Sequence, residues 1–167
     1  MRRSRAQRGN TLLEFTLVGI PLIFLLISTF EMARGMWIYH TLAYAVREGT
    51  RYAVVHGVDC ATAPNSCQVT VGQVAGRIRQ AAPGLLPAQM SLVLTAANGT
   101  VTCALSDCLS NTSNWPSAPG SSAGLALQIS AAYPYQSLIS MLWPGGANLA
   151  PFGAFNLSAS SKQAIQF

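Results

Sequence analysis

Residues 10–30 read NTLLEFTLVGIPLIFLLISTF, and from Phe15 to Phe30 the chain passes sixteen residues without a charge. As a helix the 21 residues from Asn10 to Phe30 rise roughly 31 Å, enough to cross a hydrocarbon core of ~30 Å. Arg2, Arg3, Arg5 and Arg8 precede the stretch, and only Glu31 and Arg34 follow closely. That asymmetry places residues 1–9 in the cytoplasm and the chain beyond the helix outside. A removable secretory signal fits poorly, because its apolar part runs about 7–15 residues and ends in an Ala-x-Ala-like site. Nothing between Ser28 and Met36 has that form.

The rest of the chain sets the class. Of 167 residues 9% are charged, against ~25% in an ordinary soluble domain. The length suits one modest domain with an appendage and leaves no room for a multidomain enzyme. The formal charge of +5 comes mostly from the four leading arginines; after Gly9 six basic and five acidic residues leave a net of +1. A nucleic-acid partner is therefore not expected, since a binding face needs Lys and Arg to persist across the folded part. Four cysteines, none within the first 59 residues, suit an oxidising compartment outside the cytoplasm.

Glu14 is the odd residue of the apolar stretch. A carboxylate costs about 2.5–3.5 kcal/mol at the bilayer centre and less near the interface. Its spacing is informative: an arginine-rich leader ends at Gly9, Asn10 to Leu13 follow, and Glu14-Phe15 stands at the head of the apolar helix. This resembles the processing site of type IV pilin-like precursors. The resemblance implies cleavage after Gly9 by a membrane-embedded prepilin peptidase, with Asn10 as the new amino terminus. It also implies that Glu14 pairs with the amino terminus of a neighbouring subunit, since two charges costly alone in an apolar core are tolerable together.

Beyond Phe30 no proline occurs up to Gly57, and one long helix is expected from about Leu12 to His56. Pro21 should kink it unless neighbours satisfy the freed carbonyl. Met36, Tyr39, Ala43, Val46, Thr50 and Ala53 recur at helical spacing as a face that could lie on a sheet. The stretch Ala45-Val46-Arg47-Glu48-Gly49-Thr50-Arg51-Tyr52-Ala53, taken with Arg8-Gly9 and Glu14-Phe15, resembles TadE-like proteins. These are minor pilin-like proteins of tight-adherence (Flp) pilus systems, commonly carrying Ala-Ala-Arg-x-Gly-Ala-Arg after the anchor. Arg47, Glu48, Gly49 and Arg51 carry that motif here. Arg47 and Arg51 lie one turn apart, and Glu48 reaches Arg51 at i, i+3.

Residues 69–82 read as a second helix stopped by Pro83-Gly84, with Arg77 and Arg79 on a solvent face and Gly72 and Gly76 marking close packing. MSLVLTA, Asn98-Gly99 and TVTCAL form a hairpin signal with a type I′ turn. A Ser/Pro/Gly-rich loop over 106–122, a strand from Leu125 ended by Pro134, and a last strand over 155–166 complete the pattern. Cys60, Cys67, Cys103 and Cys108 allow three pairings, of which Cys60–Cys67 and Cys103–Cys108 are the local ones and are preferred. The fold class is α+β, a long membrane-spanning helix leading into a pilin-like domain with a second helix and a small, mostly antiparallel sheet. The expected parts are a cleaved leader over 1–9, the transmembrane part of the helix over 10–34, and a periplasmic or extracellular domain over 35–167.

No catalytic residue, metal or cofactor is expected. Gly120-Ser121-Ser122-Ala123-Gly124 matches G-x-S-x-G in form only, with no histidine after His56 and no acid after Asp107 to complete a triad. The expected partners are a prepilin peptidase, other pilins or pseudopilins, the inner-membrane assembly platform and the lipid bilayer. The chain would sit in the bacterial inner membrane as a single-pass protein, N-terminus cytoplasmic and C-terminal domain periplasmic, with its final place in the fibre, at its tip or at the membrane base left open. The length argues against the family's longer member and leaves a TadF-like sibling open. Two rivals stand beside this reading: a pseudopilin of a type II secretion or competence machine, and an uncleaved anchor presenting a periplasmic binding module.

Overall fold

A computed structural model describes residues 5–56, 68–137 and 154–166. Helix α1, Arg5–Val54, is a single 50-residue α-helix with Pro21 inside it, beginning ahead of the expected start at Leu12. In its apolar stretch the hydroxyls of Thr16, Ser28 and Thr29 donate to carbonyls of the helix itself, as an apolar surrounding requires. Ser28 Oγ donates to the Phe24 carbonyl at 2.8 Å and Thr29 Oγ1 to the Leu26 carbonyl at 2.8 Å. Two compact units divide the chain, one containing α1 as far as Met36 and the other containing Trp37–Gln136 with the final strand.

In the second unit, α1 from Trp37 onward packs on helix α2 (Val71–Ala81) and on a four-stranded sheet. The inward face of α1 is Ile38, Leu42, Ala45, Val46, Thr50, Ala53 and Val54, all buried. This corrects the stripe read from periodicity: Val46, Thr50 and Ala53 face in, whereas Met36 and Tyr39 are exposed and Ile38 and Leu42 take their place. Thr50 is tolerated inside because its Oγ1 donates to the Val46 carbonyl at 2.8 Å.

Helix α2 starts where Thr70 and Gln73 form a capping box, the Thr70 hydroxyl accepting from the Gln73 N–H at 3.2 Å and the Gln73 carboxamide oxygen accepting from the Thr70 N–H at 3.0 Å. It buries Val71, Val74, Ala75 and Ile78. Arg77 does more than face solvent, because its guanidinium lies 4.8 Å from the centre of the Tyr52 ring on α1. The two glycines of α2 differ. A Cβ on Gly72 would stand 2.8 Å from the Leu109 carbonyl oxygen and 3.0 Å from that of Asn111, whereas one on Gly76 meets nothing within 4 Å. Gly72 also donates its N–H to the Asn111 carbonyl at 2.9 Å, so those backbone atoms are held in place. Gly76→Ala is expected to raise stability by up to about 1 kcal/mol through helix propensity. Gly72→Ala is expected to lower it by about 1–3 kcal/mol through the clash. Denaturant titration of the two variants checks the opposite signs.

The sheet has the order β2-β1-β3-β4 with every pairing antiparallel, over β1 (Ser91–Ala96), β2 (Gly99–Ala104), β3 (Ala126–Gln136) and β4 (Ala154–Ala164). The hairpin is present, but Ala96 pairs with Gly99, so the corner is Ala97-Asn98 and Gly99 opens β2 with φ of 154°. Neither corner residue has positive φ, which a type I′ turn requires at both positions. Pro134 does not end β3, which runs on to Gln136 paired with β4. Strand β1 stops at Ser91 opposite Ala132, so Pro134 stands where β3 has a neighbour on one side only, a position proline tolerates. Leu127, Ile129, Ala131, Tyr133 and Tyr135 point into the core on alternate positions of β3.

Within the expected loop a short helix, α3 (Leu105–Cys108), follows β2. Cys103 and Cys108 are joined by a disulfide across a Cα separation of 5.7 Å. Cys60 and Cys67 lie outside the described residues. Closing so small a loop stabilises by about 2 kcal/mol in the chain-entropy account. Replacing both Cys103 and Cys108 by serine is therefore expected to lower stability by about 2 kcal/mol, read as a shift in the denaturation midpoint.

Candidate functional site: the head and outer surface of the long helix

Gly9 and Asn10 lie in the early turns of α1. Four residues on, about 6 Å along the axis and back on the same face, Glu14 is exposed. Among the described residues it has neither an ion-pair nor a hydrogen-bond partner, the one ion pair being Arg34–Glu31 at 3.9 Å. A carboxylate in an apolar setting needs a counter-charge, and here none comes from its own described chain. Phe15 beside it is exposed, and the large apolar side chains from Leu12 to Phe30, apart from the half-buried Ile27, are 55–75% exposed. Burying one such side chain is worth about 1.5–3 kcal/mol, so this surface demands lipid or another helix. The helix is long and apolar enough to cross a membrane.

The second cluster of candidate residues stands near the other end of α1. Arg47 and Arg51 are exposed, Glu48 is half-buried and Gly49 is buried. The Glu48–Arg51 ion pair allowed by spacing does not form; exposed i, i+3 pairs are worth only a few tenths of a kcal/mol. Gly49 has a clear structural task. A Cβ there would lie 2.5 Å from Ile78 Cγ1 and 3.7 Å from Ile129 Cδ1, so the glycine lets α1 close on α2 and β3 together. Sequence reading did not assign Gly49 that role, although Ala45 and Ala53, four residues to either side on the same helical face, are the signal for it. Gly120–Gly124 forms turns leading into β3, with the Ser122 hydroxyl donating to the Pro119 carbonyl at 3.2 Å. Among the described residues no group of three or more His, Cys, Asp or Glu stands together as a metal site.

These features define a class: among the described residues, one helix long and apolar enough to cross a membrane, whose later turns contribute to the core of a small α+β domain. Residues 9–51 match the family model for TadE-like protein. The matched stretch from Gly9 to Arg51 includes Glu14, Pro21 and the Arg47–Arg51 motif, so the likeness lies in the N-terminal helix and does not extend to the rest of the chain. No curated protein and no solved structure matches the chain.

Proposed function

We propose that the chain is a minor pilin or pseudopilin of a tight-adherence (Flp) pilus, cut after Gly9 by a prepilin peptidase and acting in pilus assembly for surface adhesion. The observation that carries this reading is Glu14: an exposed acid without a partner in its own described chain, at the head of a helix whose large apolar side chains are mostly exposed. Cleavage makes Asn10 an ammonium group, and side-by-side packing of subunits brings that group to the carboxylate of a neighbour. The same packing buries the apolar surface of α1 against other pilins when subunits leave the bilayer. The partners are then the peptidase, other pilins or pseudopilins and the inner-membrane assembly platform.

The protein sits in the inner membrane as a single-pass chain with a cytoplasmic leader and a periplasmic domain. The leading arginines support that orientation, and the Cys103–Cys108 disulfide suits an oxidising compartment. Its role is structural rather than catalytic. Mass spectrometry of the protein extracted from native membranes tests the reading: the expected polypeptide begins at Asn10. A polypeptide still beginning at Met1 reduces the protein to a tethered domain.

A further inference from the structure

Strand β4 forms one edge of the sheet, and the devices that usually blunt an edge are missing from it. It runs 11 residues, Ala154–Ala164, in unbroken register with Gln136–Ala126 of β3, with neither a bulge nor a proline. Natural sheets protect such an edge by keeping it short, by proline, by a bulge or by charge, and Lys162 is the single charge on β4. The opposite edge, β2, has only six residues and leads into α3 and the Cys103–Cys108 disulfide. From Phe155 to Ala164 no side chain is buried.

Two observations fix which backbone groups of β4 face outward. Ile165, just past its end, donates its N–H to the Leu125 carbonyl at 2.9 Å. Odd-numbered residues therefore turn their N–H and C=O toward β3, and even-numbered ones turn away from it. Pro134 agrees: it stands opposite Asn156, a pair that exchanges no bonds, so its missing N–H costs the β3–β4 ladder nothing. The backbone groups of Asn156, Ser158, Ser160 and Lys162 thus line the open edge, and among the described residues they have no partner there.

A second copy of β4 fits this edge antiparallel about Ala159. Ala154 then lies opposite Ala164, Asn156 opposite Lys162, and Ser158 opposite Ser160. Every outward-facing residue meets another outward-facing one, and the whole strand is used; moving the centre to Ser158 or Ser160 leaves residues unpaired. The charge pattern selects the same arrangement. The two lysines end up six positions apart, about 20 Å, well beyond the ~8 Å screening length. Parallel in-register pairing would instead set Lys162 beside Lys162 at about 4.8 Å, which is repulsive. On the other face of the strand, the exposed Phe155 comes opposite Gln163 and Leu157 opposite Ser161.

We infer that β4 pairs antiparallel with β4 of a second copy of this chain, joining two four-stranded sheets into one about a two-fold axis at Ala159. The pairing occupies both edges and closes as a dimer. It is independent of Glu14 and of how α1 packs, since β4 and its sheet lie in the unit from Trp37 onward.

The full chain, purified in detergent, tests this by amide exchange and by cross-linking. At concentrations that hold the dimer, the amides of Asn156, Ser158, Ser160 and Lys162 are expected to exchange as slowly as their odd-numbered neighbours, and at least about tenfold faster on dilution. At the axis Ala159 meets Ala159 as a non-hydrogen-bonded pair, with Cα atoms about 4.5 Å apart, within disulfide range. Ala159→Cys is therefore expected to give a linked dimer under mild oxidation, whereas Thr100→Cys on the other edge stays unlinked. Adding Ser160→Pro removes an edge donor without touching the β3 ladder, and should abolish both the link and the slow exchange while thermal unfolding shows a folded chain. Ser160→Lys, which keeps the backbone donor and charges the edge, is expected to do the same. Fast exchange of the even-numbered amides at every concentration overturns the pairing. So does linking equal at positions 100 and 159, or linking that survives in folded Ser160→Pro or Ser160→Lys chains. In native membranes, a product joining Cys at position 159 to a different protein assigns the edge to that protein and overturns the dimer. None of these results moves the mass of the mature chain, so the reading of cleavage after Gly9 stands or falls separately.

Discussion

Gly9→Ala is expected to leave the protein at its full length in the membrane, with the form beginning at Asn10 reduced to a trace. A peptidase that cuts immediately after a glycine can bring its catalytic groups against a backbone with no Cβ, and one added methyl group meets that close approach directly. A steric penalty of about 3 kcal/mol in the transition state slows cleavage roughly a hundredfold. The fold of the domain is not at stake, since Gly9 lies in the early turns of α1 and the packed core begins at Ile38. The variant should therefore show wild-type thermal unfolding, normal extraction from membranes, and only the precursor mass. Pulse-labelling with immunoprecipitation measures the two forms. Processing at the wild-type rate would remove Gly9 as the cleavage position and, with it, the ammonium at Asn10.

That separation between helix head and domain also shows what could be read from sequence. The apolar run, the leader and the Gly9–Glu14 interval are one-dimensional patterns, and the match over residues 9–51 covers that same helical segment. The second helix and the antiparallel sheet were legible because capping residues and period-two alternation are local signals. What escaped depends on partners far along the chain. Two apolar stripes coexist on α1, one facing the core through Ile38 and Leu42 and one left outside through Met36 and Trp37; periodicity alone cannot tell which of two faces is buried. The tight approaches at Gly49 and Gly72 depend on Ile78 and on the Leu109 and Asn111 carbonyls, which no spacing within either helix announces. Pro134 was read as a stop because a strand's neighbours are invisible until the register is known. For the candidate site, the spacing identifies Glu14, but a partner contributed by another molecule is written in no single chain.

Glu14→Ala is expected to have opposite effects on the two environments the helix occupies, and this makes it the more searching test. In the bilayer, removing a carboxylate from an apolar helix relieves a cost of about 2.5–3.5 kcal/mol at the centre and less near the interface, so anchoring should be unchanged or stronger. In an assembled fibre the same change strands the neighbour's Asn10 ammonium among apolar helices. Breaking a buried pair by removing one partner costs about 3–5 kcal/mol, or roughly two to four powers of ten in the incorporation equilibrium. Because the carboxylate is exposed and without a partner in its own described chain, its loss should disturb neither α1 nor the domain. Processing, which reads Gly9, should continue. The expected phenotype is thus a normally cut, well-anchored protein that accumulates in the inner membrane while the sheared-fibre fraction and the number of pili fall together. Glu14→Gln sharpens the argument, since it keeps the length and hydrogen-bonding capacity but removes the charge: it should anchor like alanine and assemble nearly as poorly. Immunoblots of membrane and fibre fractions, with pilus counts by electron microscopy, read both arms. Normal piliation by the alanine variant would show that the acid has no counter-charge to meet, and the side-by-side pairing of subunits through Glu14 and Asn10 would have to be abandoned.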